Sequence, residues 1–358
     1  MRTDNSSVCP LNIPLDDILH FRAHTPIHDW ETLAGCRLFI TGGTGFVGKW
    51  ILSSLLDADK RLSLDCQISV LSRNPERFLS EWPGLRGRVE FVPGDVRTFD
   101  FPDHDLDVVI HAATDVAVSA PPAEVFSTCV AGTSRVLELV RTNSVRKLML
   151  ISSGAVYGPL PDGMTHVPET YMGGPDPLRA SSAYAEGKRV SEWLACRTAE
   201  TGVHVSIARV FALVGPHLPL DAHFAIGNFI SNALRGEDIK IEGDGRSYRS
   251  YLYAADMVAW LWAILFRGRS SVAYNLGAEQ VISIADLAQV VRDSINPRVD
   301  ISIKRPTIRG AAPSYYVPST EKARNELHLS ESVSLPEAIS RTAAWHRGRT
   351  ASLHSAEC

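Results

Sequence analysis

The sequence predicts an α/β protein: a doubly wound parallel sheet with a smaller C-terminal domain beside it. Three observations carry that expectation. From Cys36 to Arg209, apolar runs of strand length alternate with stretches of helical spacing, the pattern of a parallel sheet covered on both faces. A glycine-rich turn, TGGTGFVG (Thr41–Gly48), joins the first run to its helix. After Gly215-Pro216 the alternation stops and an irregular stretch begins.

Taken in order, residues 1–34 are a mixed extension containing proline and histidine, in which IPLDDILHF could form one short amphipathic helix that docks on the body. Packing or a subunit contact is its expected role. RLFIT (Arg37–Thr41), QISVLS (Gln67–Ser72), VEFVP (Val89–Pro93) and VVIHA (Val108–Ala112) read as strands, rich in β-branched residues. Phe46–Ala58 and 123–143 have helical spacing, and the run from Lys147 ends a fifth strand in Ile151-Ser152-Ser153. Helix 183–201 and strand His204–Arg209 complete a first domain over 35–214, to which a later segment, about 250–277, is expected to return. Residues 215–345 are expected to be mainly the second domain, with helices near 224–235, 257–266, 284–295 and 335–346, a strand at Ile239–Glu242 and a turn at Gly243-Asp244-Gly245. Residues 346–358 read as a tail, and the active cleft is expected between the domains.

Composition narrows the function. A net charge of −4 with no basic tract argues against nucleic-acid binding. The longest apolar run, Met257–Phe266, falls short of the roughly 20 residues that span a bilayer. The opening MRTDNSSVCP has no apolar core of a signal peptide, and the six cysteines are scattered without metal-ligand spacing. These readings lead to an expected cytoplasmic protein with no metal, no membrane contact and reduced thiols.

The turn after the first strand has the chemistry of a dinucleotide site. Gly42, Gly45 and Gly48 give GxxGxxG at the end of a strand and the start of a helix, where glycines let the backbone approach a pyrophosphate. Thr44, Phe46 and Val47 complete the cradle, and the helix N-terminus offers free N–H donors to an anion. At the end of the second strand stand Ser72, Arg73 and Asn74, with no carboxylate for a ribose 2′-hydroxyl. That favours NADP(H) over NAD(H). Asp95-Val96 and Ala112-Ala113-Thr114 fall at the carboxyl ends of the next two strands, where ligands bind in open α/β sheets.

Tyr184 and Lys188 lie at i and i+4, on one face of a helix. A free phenol titrates near about 10, too high for a base at neutral pH; a neighbouring ammonium is expected to lower it and let the pair move a proton to or from an alcohol.

Glycine turn, strand-end serine and YxxxK occur here in one order, with PGDV, VIHAA, SSGAVYG, YAEGK and GDGRSYRSYLYAAD around them. Over about residues 36–345 the chain resembles the extended short-chain dehydrogenase/reductase family, in its NAD(P)-dependent nucleotide-sugar epimerase/dehydratase branch. The resemblance implies a Rossmann-type sheet, a smaller substrate-binding domain, a nucleotide-diphosphate sugar as substrate and a homodimer. It implies that Tyr184 is the acid/base, that Lys188 tunes it and bonds the nicotinamide ribose, and that Ser153 bonds the sugar oxygen that gains or loses a proton. Arg249 would hold the substrate diphosphate, for which a guanidinium is suited. His217, Asp221, His223 and Asn228 fall where the substrate loop should be, so they are candidates for the sugar pocket.

There are departures from the family pattern. Its R-x-x-N becomes Arg209-Val210-Phe211-Ala212, which removes a polar substrate contact and leaves Phe211 to pack near the nicotinamide. Its N-x-x-G-T becomes Cys129-Val130-Ala131-Gly132-Thr133, which puts in doubt any relay through the asparagine. The 4,6-dehydratases of the family carry Asp-Glu where this chain has Gly154-Ala155. Hydrogen and methyl cannot take the C5 proton or protonate the leaving C6 hydroxyl, so dehydration is not expected. Such small residues should instead leave room for a sugar to turn. The expected activity is hydride transfer at a sugar carbon, C4 above all, by a 4-ketoreductase of a 4-keto-6-deoxy sugar nucleotide. A 4-epimerase with retained NAD is the alternative, followed by a dehydratase and then a dinucleotide sensor without catalysis.

Overall fold

Seven strands pair side by side, all parallel: β1 (Arg37–Thr41), β2 (Gln67–Ser72), β3 (Glu90–Pro93), β4 (Val108–His111), β5 (Lys147–Ser153), β6 (His204–Val210) and β7 (Val272–Leu276). This computed structural model describes residues 9–114, 120–222, 224–306 and 312–356. The spatial order is β3-β2-β1-β4-β5-β6-β7. The order of the strands therefore reverses between β1 and β4, and the crevice outside their carboxyl ends is where a Rossmann-type sheet receives its dinucleotide. The strands are apolar because both faces are covered: every residue of β4 is buried, as are all of β1 but Arg37.

Of the covering helices, α2 (Phe46–Leu62) follows the glycine turn, while α3 (Pro122–Thr142) and α4 (Ala183–Thr198) lie together on the opposite face. They approach closely because α4 has Gly187 at the crossing; a Cβ there would stand 2.7 Å from the Cβ of Cys129. The apolar run singled out in the sequence forms α6 (Ala254–Arg267), a helix buried all round from Ala254 to Leu265. A helix without a polar face needs cover on every side. The extra cover is the N-terminal extension: α1 (Leu15–His24) packs on α6, and Trp30 lies 4.7 Å from Trp262, centroid to centroid.

That extension is tied down by charge as well. Buried Asp17 accepts from the Tyr253 hydroxyl at 2.8 Å and from Arg341 at 2.9 Å. His20 meets Asp256 at 2.7 Å, and Arg267 pairs with Asp29. Sequence periodicity showed one short helix here; the packing of Leu11, Ile13, Ile18, Phe21 and Trp30 makes the segment part of the core.

The remaining elements stand beside the carboxyl edge of the sheet. They include α5 (Ala225–Arg235), α7 (Ile284–Ile295) and two small sheets, one pairing Ile239–Ile241 with Ile301–Ile303. The other sets Tyr248–Arg249 between Ile282–Ser283 and Tyr315–Tyr316. Helix α8 runs Leu335–Ala356, through the stretch read as a tail. Its polar composition past His346 hides the continuation, in which Arg347 donates to Ile295 O at 3.2 Å; just before it the Trp345 indole N–H donates to Asn12 O at 2.8 Å.

Candidate active site

The turn after β1 makes close approaches that only glycine permits. Gly42 has φ +72°, and a Cβ there would lie 2.6 Å from the Ala112 carbonyl carbon at the end of β4. A Cβ on Gly48 would collide with Gly42 O. Gly45 differs: a Cβ would meet only Gly42 O at 3.3 Å, and the residue faces outward as the N-cap of α2, with no side chain capping the helix. The N–H groups of Phe46, Val47 and Gly48 thus open toward the crevice beside Thr44, as a pyrophosphate requires. The residues fit a dinucleotide. When bound, its nicotinamide supplies or accepts hydride.

At the other end of that crevice, Ser72 is buried and accepts from the Asn74 N–H at 3.3 Å, while Asn74 caps the next short helix through Arg77 N–H at 3.1 Å. Arg73 is exposed. The Asp95 carboxylate is gripped by Arg97 at 2.7 and 2.9 Å, which holds its pKa below the usual range, with Arg73 adding to the effect. Two arginines thus flank one carboxylate here, which leaves a single net positive charge. Val96 is buried against Gly132 of α3, and Ala112 and Ala113 line the end of β4.

Ser153 ends β5 and is buried; its Oγ accepts from the Ala155 N–H at 3.2 Å. Tyr184 and Lys188 project from the first turns of α4. The Lys188 ammonium is 6.0 Å from the Tyr184 ring centre and donates to Thr114 Oγ1 at 2.6 Å and to Ile151 O at 2.7 Å. Burial lowers the Lys188 pKa to about 8. Burial also dominates at Tyr184, and raises its phenol well above the ordinary value; a hydrogen bond with Ser153 only partly offsets this. This corrects the expectation that the ammonium lowers it: Lys188 is turned to the strand and to Thr114, and desolvation of a phenolate outweighs its attraction. The phenol is held as a proton donor.

One group in the cleft escaped sequence reasoning. Tyr316 Oη stands 3.4 Å from Ser153 Oγ, and the Arg249 guanidinium lies 5.7 Å from its ring centre. It is placed by strand pairing, in register with Arg249. The only sequence signal is a pair of tyrosines between Pro313 and Pro318, too short for any period. Phe211 packs on Tyr316 at 4.8 Å and on Tyr157 at 6.2 Å. Its ring covers Gly154, where a Cβ would come within 2.6 Å of it. The space expected beside Gly154 is therefore filled by Phe211, and the open neighbour is Ala155.

Below this floor runs a buried polar network. Ser152 donates to Glu192 at 2.5 Å, Arg209 clamps Glu192 at 2.7 and 3.0 Å and donates to Tyr157 Oη at 2.8 Å, and Tyr157 donates to Asn275 at 2.7 Å. Every member is satisfied, which makes such a network rigid.

The substrate-loop candidates divide. His217 is not in the cleft. It is buried, its Nε2–H donates to Leu11 O at 2.7 Å, and its ring sits between Trp82 and Trp345. The loop is turned inward there because the N-terminal extension needs a donor at that point. Asn228, with its amide turned to donate, braces the loop through Leu220 O at 3.1 Å and Ala222 O at 2.8 Å. Asp221 is exposed, and His223 lies outside the described residues. Among the described residues, no group of three His, Cys, Asp or Glu is placed to hold a metal, and no helix is long and apolar enough to cross a membrane.

Comparison with known proteins agrees with this geometry. The model of the NAD dependent epimerase/dehydratase family matches residues 38–277. UDP-glucuronic acid decarboxylase 3 of Arabidopsis thaliana is 30% identical over 310 residues, 85% of this chain and 86% of that protein. Among solved structures, a dTDP-glucose 4,6-dehydratase from Streptomyces venezuelae with NAD bound superposes with a TM-score of 0.74 at 24% identity, covering 88% of this chain and 98% of the other. A UDP-glucose 4-epimerase from Thermotoga maritima with UDP-glucose gives 0.73 at 22% identity, covering 88% and 99%.

Proposed function

The chain belongs to the NAD-dependent epimerase/dehydratase family, and from that premise we propose that it reduces the C4 ketone of a 4-keto-6-deoxy nucleotide sugar with NADP(H). One observation carries the reading: the groups gathered at Ser153 are hydroxyls, those of Tyr184 and Tyr316, and Gly154-Ala155 add no carboxylate. A ketone oxygen that becomes an alkoxide needs donors, and a phenol held protonated can deliver the proton. Glu169, which packs near this floor, is engaged elsewhere: its carboxylate accepts from the Asn275 N–H at 2.8 Å. Among the described residues no carboxylate stands beside Ser153 to remove a C5 proton, and dehydration is not expected.

Arg73, beside a strand end that carries no carboxylate, supports the preference for NADP(H), and Arg249 beside Tyr316 supports a diphosphate seat. Exposed Phe126 on α3 and Trp193 on α4 support pairing of two copies through these helices. Unpaired cysteines at 9, 36, 66, 129 and 196 suit a cytoplasmic setting.

The similarity to UDP-glucuronic acid decarboxylases favours a second reading. A 4-keto sugar with a C5 carboxylate loses CO2 without any C5 base, so Gly154-Ala155 do not oppose it. The test is to offer NADPH with dTDP-, UDP-, GDP- and CDP-4-keto-6-deoxyglucose, and UDP-glucuronic acid in a separate reaction. Consumption of NADPH by one of the ketones supports the reductase. Release of CO2 from UDP-glucuronic acid by enzyme that retains NAD replaces it with the decarboxylase. NAD(H) binding as tight as NADP(H), or no selective loss of NADP(H) affinity in Arg73→Ala, removes the cofactor preference.

A further inference from the structure

Tyr316 is the hydroxyl of the cleft that the Ser153–Tyr184–Lys188 set does not include. It comes from the C-terminal portion, yet its phenol reaches the serine of the sheet: Tyr316 Oη lies 3.4 Å from Ser153 Oγ. Catalytic hydrogen bonds are often this long before substrate draws the groups together. The phenol is partly buried and kept protonated: burial raises its pKa, against lowering by Ser153, by the Arg249 charge and by the Ala155 N–H.

A serine oxygen has two acceptor sites and one hydrogen. One site takes the Ala155 N–H at 3.2 Å. If Tyr316 takes the other, both lone pairs are engaged, and the serine's own hydrogen is left to point away from them. Tyr184, itself held protonated, shares a hydrogen bond with Ser153, and that bond is the one a substrate oxygen replaces on entering. The Ser153 hydroxyl then acts as a donor to a third oxygen rather than as an acceptor.

We propose that Tyr316 is a positioning residue that donates to Ser153 Oγ and so commits the Ser153 hydroxyl to donate to the reacting C4 oxygen. The inference deepens the reductase reading and rests on it for the identity of that oxygen. It adds a third hydroxyl to the Ser153–Tyr184 pair and makes the donor set depend on the C-terminal portion, through the pairing of Tyr315–Tyr316 with Tyr248–Arg249. Polarising donors matter more as charge develops on the oxygen, so the effect belongs in kcat rather than in KM.

The test is a double-mutant cycle on the full chain with Tyr316→Phe, Ser153→Ala and the pair. Phenylalanine keeps the ring that packs on Phe211 and under Arg249, and removes only the hydroxyl. With the 4-keto-6-deoxy sugar nucleotides as probes, Tyr316→Phe is expected to lower kcat about tenfold with KM within about twofold, and to cost nothing more once Ser153 is alanine. A kcat within about twofold of wild type overturns the proposal, as does an equal loss in both backgrounds. If wild type reduces no ketone but converts UDP-glucuronic acid or UDP-glucose, the reductase reading fails while the cycle is read on that reaction, which also passes through the C4 oxygen. Urea unfolding of the same four proteins needs no substrate. A double variant no less stable than Ser153→Ala alone supports the contact, and strictly additive midpoint shifts overturn it.

Discussion

The ring of Phe211 lies against Gly154, so close that a Cβ on Gly154 would stand 2.6 Å from two of its carbons. The glycine that follows Ser153 is thus a packing requirement of the aromatic floor formed with Tyr157 and Val167. A methyl group forced into a close-packed site typically costs 1–3 kcal/mol. Gly154→Ala is expected to lose about that much stability in urea unfolding, and Phe211→Leu in the same chain to recover part of it. A Gly154→Ala protein as stable as wild type would show that the ring yields freely.

Tyr184→Phe keeps the ring on α4 and deletes the one transferable proton. Loss of a positioned acid typically costs 10²–10⁴-fold in rate. Turnover of the true substrate should collapse by about that factor while dinucleotide affinity, measured by titration, changes little, since the cradle of Gly42 to Gly48 is on other elements. A variant that keeps more than about a tenth of wild-type turnover would assign the proton to another group, with Tyr316 the first to examine.

Much of this was legible in the chain because it is local. Strand and helix periods, the glycine turn and YxxxK each report a short segment, and the parallel order follows from their alternation. The groups that escaped are placed by contacts between distant segments. Tyr316 reaches Ser153 through pairing with Arg249. His217 resembled a substrate-loop residue, but its partner is the Leu11 carbonyl at the other end of the chain. The direction of the Tyr184 shift was missed for a similar reason: spacing along a helix brings Lys188 near, but burial and the Thr114 and Ile151 acceptors decide what the ammonium does.

Lys188 gives the site an alkaline limit. With its folded pKa lowered to about 8, it loses its charge as pH rises through that value, which weakens its bonds to Thr114 and Ile151. Tyr184 stays protonated over the same interval, because its shift is upward. Reduction rate is therefore expected to fall above about pH 8, with no matching loss of stability. The sign for stability is the reverse: an unfolded lysine titrates near about 10.4, so between about 8 and 10.4 the unfolded chain holds the extra proton and this group favours folding more as pH rises. A pH profile of kcat flat to pH 10 would remove Lys188 from the charge balance of the reaction.

At the acid end the buried histidines act in the other direction. His111 ends β4 between Thr41 Oγ1 at 2.7 Å and Thr133 Oγ1 at 3.0 Å, and burial lowers its pKa to about 3. His217, between two tryptophans, is also lowered to about 3, by burial first and then by the Lys49 charge. Its Nδ1 finds no partner among the described residues, so a second proton there would have no acceptor. Both rings must therefore be neutral when folded, whereas an unfolded histidine takes its proton near about 6.5. Below that value the unfolded chain binds more protons, so stability falls as pH drops from about 6.5 toward 3. At pH 5 each ring costs about 2 kcal/mol relative to pH 7. Glutamine at position 217 can still donate to Leu11 O but cannot ionise. His217→Gln is expected to be less stable than wild type at pH 7, because the fit between Trp82 and Trp345 is lost, yet to lose stability more slowly as the solution is acidified. Urea midpoints at pH 7, 6 and 5 measure both slopes. Parallel lines for the two proteins would mean that His217 already carries its proton in the fold, and that the strap from Leu11 is held by an imidazolium.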